Sequence, residues 1–164
     1  MLYDQNKKVN QCMPLGKFMG AITKSYFGAL SKKMEHTGID RHFSTLIAID
    51  KTAHNCTQQY LSDLLSFDKV SMVRILDYLV AKKMITRSVN PDDRREHFVN
   101  LTKKAKKIMP KIYDGIKEMN SIAFKNIKKK DQEIFYSCIT EIFKNVERLP
   151  ANEVDIQLKK NKRT

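Results

Sequence analysis

The chain has 164 residues, 41% of them apolar, and a net charge of +13, enough for one domain with a real core and too apolar for disorder. No apolar run approaches the roughly 18 residues of a membrane span, and the N-terminus lacks the apolar centre of a signal peptide, so a cytoplasmic protein with no membrane partner is expected. Three scattered cysteines, Cys12, Cys56 and Cys138, suit neither a disulfide framework nor a zinc ribbon.

In chain order, Leu15, Phe18, Met19, Ile22, Tyr26, Ala29 and Leu30 recur at helical spacing and predict a first helix from Leu15 to about Met34. His36 to Asp40 is a break, and a second helix is expected from about Arg41 to Lys51. Thr57 is placed to cap a short third helix, Gln58 to Leu65, with Tyr60, Leu61 and Leu64 facing inward. After a tight turn at Ser66-Phe67, Asp68 caps a fourth helix to about Lys82, with Met72, Ile75, Leu76 and Leu79 on one face.

Two β-prone runs follow, Ile85–Val89 and His97–Leu101, around the tip Asn90-Pro91-Asp92-Asp93-Arg94-Arg95. They predict a hairpin with two guanidinium groups at its end. Thr102 then caps a long fifth helix with the stripe Ile108, Ile112, Ile116, Met119, Ala123 and Ile127, interrupted by Pro110, where a kink is expected. Lys128, Lys129 and Lys130 are expected at its C-terminal end. Asp131 should cap a sixth helix carrying Phe135, Cys138, Ile139, Ile142 and Val146, closed by Pro150, and residues 151–164 read as a basic tail. Cys56 and Cys138 are expected to be small buried apolar residues.

The fold class is mainly α with a small β-hairpin: a winged helix-turn-helix flanked by helices. Two short helices joined by a tight turn set the second across the first, so its outer face can enter a major groove of double-stranded DNA. With Met72, Ile75, Leu76 and Leu79 inward, that face presents Lys69, Val70, Ser71, Val73 and Arg74. Arginine can fork onto guanine edges, serine can bond a base or a phosphate, and valines can pack on thymine methyl groups. An arginine at a hairpin tip suits the narrow minor groove of A/T-rich DNA. The charge lies elsewhere: residues 1–56 carry +4, 57–102 carry +1, 103–130 carry +8 and 131–164 carry none. The head is nearly neutral, so its function must rest on placement, while Lys103 and Lys104 are expected to add sequence-independent phosphate attraction.

Asp68 to Leu79, then Lys82-Lys83-Met84-Ile85, the Asp93-Arg94-Arg95 tip and Leu101-Thr102 together resemble the MarR family of bacterial transcription regulators, over roughly residues 12 to 148. The resemblance implies a homodimer on a pseudo-palindromic operator, usually a repressor released by a small molecule or an oxidant. It divides the chain into a dimerisation region (1–36 and 103–150), a DNA-binding head (37–102) and the tail. Arg95 would be the wing arginine in the minor groove, Asp93 its orienting partner, and Arg94 a phosphate contact. Lys83 and Ser66 stand where the family often has glycine, which leaves the end of the recognition helix less certain.

The first, fifth and sixth helices carry apolar stripes too large for one small head, so a two-fold partner is expected to cover them. The resemblance also places an effector cleft between the dimerisation helices and the head, with Phe18, Ile22, Tyr26, His42 and Phe43 as candidate lining, each equally able to be a core residue. Cys12 resembles in position the reactive cysteine of the peroxide-sensing branch, and Tyr26 matches one of the two tyrosines that bond its thiolate there; Gly16 stands in place of the other. The histidines show no metal-ligand spacing, so no metal or cofactor is expected. No nucleophile with a base, glycine-rich phosphate loop or carboxylate pair suggests an enzyme. Two alternatives remain: a thiol-based peroxide sensor acting through Cys12, and a winged-helix module that binds protein.

Overall fold

A computed structural model describes residues 14–52, 56–91 and 96–150. Its elements are α1 (Leu15–Met34), a short 3-10 turn at Glu35–Thr37, α2 (Phe43–Lys51), α3 (Gln58–Leu65), α4 (Lys69–Ala81), β1 (Ile85–Val89), β2 (His97–Leu101), α5 (Lys103–Ala123) and α6 (Lys129–Val146). The mainly helical architecture with one antiparallel hairpin is the winged-helix class expected from the sequence. The second helix starts two residues later than expected, because His42 takes a left-handed conformation (φ 62°) that cannot belong to a helix.

The core gathers one side of both strands and of every α-helix but α6. Leu30 and Met34 of α1 meet Phe43, Leu46 and Ile49 of α2, Leu61 of α3, Met72, Leu76 and Leu79 of α4, and Met109 and Ile112 of α5. Met84, Ile85 and Val99 close it beneath the hairpin. Where α1 crosses α5, a methyl group on Gly115 would come within 3.2 Å of Leu30 and 3.3 Å of Met34, so the close approach favours glycine there.

Three of the predicted caps form. Thr57 accepts from the Tyr60 amide at 3.2 Å, Asp68 from Ser71 at 2.8 Å and Thr102 from Ala105 at 3.1 Å, each satisfying one orphan donor of a helix start. Two helix ends share one geometry. At α3, Phe67 N–H donates to the Ser62 carbonyl and Ser66 N–H to Asp63. At α4, Met84 donates to Leu79 and Lys83 to Val80. Both are six-to-one and five-to-two closures around a left-handed residue, Ser66 (φ 53°) and Lys83 (φ 58°). These are the two positions at which the resemblance implied glycine, and a side chain in that conformation costs about 1 kcal/mol.

Four expectations need correction. Tyr60 and Leu64 point outward; only Leu61 of the three is buried, since an eight-residue helix packed on α2 and α4 turns too little of its surface inward. α5 ends at Ala123 rather than near Lys130, and Asn126 turns the chain through the left-handed region (φ 66°), a conformation asparagine tolerates. Lys128 is therefore the cap position of α6, with Lys129, Lys130 and Asp131 in its first turn, where the helix dipole favours the aspartate and opposes the lysines. Cys138 is exposed, because α6 buries none of its residues within this chain. Pro110 lies within a continuous α5, offering no N–H to Lys106.

Candidate nucleic-acid interface

The tight closure at Ser66 lets α4 start immediately, and Asp68 fixes that start. Ser71 offers Asp68 both amide and hydroxyl, which holds the Asp68 carboxyl below its ordinary range. Ser71 is half-buried beside the cap, whereas Lys69, Val70, Val73 and Arg74 stand outward on the surface opposite Met72, Ile75, Leu76 and Leu79. Val70 is 60% exposed and Val73 38%. Among the described residues neither Lys69 nor Arg74 meets a carboxylate. Two apolar side chains thus share one outward helix face with a guanidinium that has no ion-pair partner among the described residues.

The outward stripe continues to Asp77, whose carboxylate holds the Arg87 guanidinium of β1 at 2.8 Å. The sequence reading missed this pair. Its only signal was the spacing of Asp77, three residues after Arg74 and seven after Val70. The hairpin pairs Ile85 with Leu101, Arg87 with Val99 and Val89 with His97. Beyond it the Asn90 amide donates to the Glu96 carbonyl at 2.9 Å, carrying the register to the edge of the tip. A short third edge, also unforeseen, is added where Thr57 bridges Phe98 and Val99 N–H donates to Cys56 at 2.7 Å. Asp93, Arg94 and Arg95 lie outside the described residues, so the roles expected of them have no geometry here.

The base of the hairpin is tied to α5. Thr102 donates its amide to the Met84 carbonyl at 2.9 Å and its hydroxyl to the Lys83 carbonyl at 2.9 Å, and Lys104 Nζ donates to the Lys82 carbonyl at 3.0 Å. Lys104, expected to add phosphate attraction, is bonded to the end of α4. Lys103, Lys106, Lys107 and Lys111 are exposed, and none of them meets a carboxylate among the described residues.

The five candidate effector residues separate. Phe43 is 2% exposed and belongs to the core. Phe18 is half-buried and Ile22 exposed on α1, while Tyr26 gives its hydroxyl to Asn120 at 2.7 Å. Burial, reinforced by Tyr136, raises the Tyr26 pKa. His42 packs edge-on against Tyr78 of α4 with ring centroids 5.1 Å apart. Burial, then the charge of Arg41, push its pKa down to about 4, with Asp40 opposing them. A hollow of about 550 Å³ lies at the α5–α6 elbow, lined by Lys117, Asn120, Phe124, Lys125, Tyr136 and neighbours, and includes none of the five. Cys12 is outside the described residues. Among the described residues no three His, Cys, Asp or Glu side chains come together as a metal site, and no helix is long and apolar enough to cross a membrane.

A helix-turn-helix followed by a hairpin, with the hairpin returning into a long helix, defines a winged helix-turn-helix protein. A family model described as the MarR family matches residues 37–96, the span of α2 to the wing. Over that span the chain is similar to the MarR family. It is similar to a MarR transcriptional regulator from Methanosarcina mazei at 28% identity, over 79% of this chain and 96% of that one, with a TM-score of 0.66. The fold also matches a MepR–DNA complex from S. aureus (18% identity, 82% and 99% of the two chains, TM-score 0.76). It likewise matches a mutant of MarR from E. coli complexed with operator DNA (23%, 83% and 98%, TM-score 0.71).

Proposed function

We propose that this chain is a dimeric, sequence-specific DNA-binding transcription regulator that sets α4 in the major groove and the wing arginine Arg95 in the minor groove. One observation carries the reading: Val70 and Val73 stand exposed on the outer face of α4 beside Arg74, which meets no carboxylate among the described residues. Solvent gives no reason for two valines there; a groove edged with thymine methyls does. The solved MepR and MarR complexes support DNA as the partner, by likeness of fold. Arg74 reads bases, Lys69 and Ser71 support the contact, Arg94 meets phosphate and Asp93 orients Arg95.

The second copy is argued from α6. Phe135, Tyr136, Ile142, Phe143 and Val146 are exposed in a helix with no buried residue, and Leu15 and Ile22 of α1 are exposed too. A two-fold partner covering these helices leaves 37–102 as the head, with 1–36 and 103–150 as the dimerisation region, and spaces two copies of α4 about 34–36 Å apart, one turn of DNA. The protein acts in the cytoplasm as a repressor, and a small molecule bound between α1 and the head, against Phe18, Ile22 and Tyr26, releases it. The peroxide-sensing alternative gains nothing from Tyr26, whose hydroxyl is committed to Asn120.

The test is a binding series on an operator duplex. Arg74→Ala and Arg95→Ala cripple affinity while fold and dimer persist, and Arg74→Ala also relaxes base preference by about 1–3 kcal/mol at one position. Unchanged affinity in both variants overturns the assigned roles, and poor affinity of the native protein for every duplex at low salt favours a protein-binding module instead.

A further inference from the structure

The recognition helix ends in a conformation its own sequence disfavours. Lys83 is left-handed at φ 58° although it carries a side chain, and its own carbonyl and those on either side of it are each bonded from the start of α5. Lys104 Nζ holds the Lys82 carbonyl at 3.0 Å, Thr102 Oγ1 the Lys83 carbonyl at 2.9 Å and Thr102 N the Met84 carbonyl at 2.9 Å. Thr102 is at the same time the cap of α5, accepting from Ala105 at 3.1 Å. Three consecutive carbonyls are thus bound by two residues of a single helix start. A strained residue persists only when its surroundings over-determine it, and here the surroundings are the helix that leads to the dimer region.

We propose that Lys104, with Thr102, is a positioning residue for DNA binding: its ammonium latches the end of α4 to α5 and keeps Lys83 left-handed, so that wing and recognition helix leave that corner at a fixed angle. The ammonium acts through the Lys82 carbonyl and touches no phosphate. If Lys83 relaxes to negative φ, the six-to-one closure from Met84 to Leu79 is lost and β1 leaves the helix in another direction. Lysine at 104 offsets what lysine at 83 makes unfavourable. Glycine at 83 removes the need, since glycine adopts positive φ without strain.

The inference rests on the DNA-binding reading for its affinity measurements only. Native protein, Lys104→Met, Lys104→Arg, Lys83→Gly and the double variant Lys83→Gly/Lys104→Met are compared by operator affinity over a salt series and by amide exchange at Met84 and Thr102. Lys104→Met, which has no donor, weakens binding about two- to tenfold, the worth of one hydrogen bond. The slope of log affinity against log salt stays at the native value, and exchange at both amides quickens. Lys104→Arg, which still has a donor for the Lys82 carbonyl, restores both. In the Lys83→Gly background Lys104→Met changes neither. A salt slope reduced by about 0.9 marks a phosphate ligand and overturns the proposal. So does an equal loss in both backgrounds, or exchange that Lys104→Met leaves alone. If the native protein binds no operator, the DNA reading fails, and the exchange comparison alone decides the latch.

Discussion

The head and the sixth helix obey opposite rules. From α2 to β2, each helix and the hairpin turn at least one large apolar side chain fully inward, and Leu46, Leu61, Met72, Leu76 and Leu79 are all at 0% exposure. α6 is as regular a helix and equally amphipathic in pattern, yet it buries nothing in its own chain. A head built this way, with α1 and α5 packed on it, is complete within one chain, whereas α6 leaves Phe135, Ile142 and Phe143 exposed. The contrast separates residues that hold the fold from those the proposed dimer would cover, and it leaves two features that neither explains: the outward valines of α4 and the left-handed corner at Lys83.

The largest expected effect breaks the contrast from the head side. Leu76→Ala removes a fully buried side chain from the centre of the core and lowers stability by about 2–5 kcal/mol, measured by denaturant unfolding. Phe143→Asp in α6 leaves head packing intact in near-ultraviolet circular dichroism but shifts sedimentation from dimer to monomer. Unfolding of the head by Phe143→Asp would mean that α6 packs within the chain after all.

Smaller effects sharpen it. Lys83→Gly relieves the left-handed strain and raises stability by about 1 kcal/mol, read as a higher denaturant midpoint with unchanged slope. His42 provides a pH dependence. Burial and Arg41 depress its folded pKa to about 4, below the ordinary 6.5, so between those values the unfolded chain binds a proton that the folded head does not. Stability is therefore full above about pH 6.5 and is lost as pH falls toward 4. Partial exposure of the ring keeps the effect modest, and His42→Gln flattens that limb of the stability profile while leaving the neutral region in place.

Much of the fold was legible from local signals. Strand limits and three helix caps follow from residue types whose backbone demands are strong: threonine and aspartate before helices, and β-branched pairs around Asn90-Pro91. The left-handed ends at Ser66 and Lys83 do not, since neither residue type favours positive φ, and only the resemblance marked those positions. What escaped depends on packing that periodicity does not encode. Ile127 continued the stripe of α5 on paper, but the chain turns at Asn126 first. Tyr60 and Leu64 have the spacing of an inward face, yet α3 is too short to bury more than one side. In the site, the outward face of α4 was readable because its buried face was. The Asp77–Arg87 pair and the Lys104 latch join elements that lie 10 and 22 residues apart, and no sequence pattern announces such contacts.

The central claim is that α4 reads DNA sequence as one half of a two-fold pair. Footprinting of the purified protein on DNA upstream of its own gene tests it most directly. The expected result is protection of a pseudo-palindromic site with half-sites about one helical turn apart, abolished by Arg74→Ala. Protection that ignores sequence and simply fades with salt, or no protection at all, would contradict it.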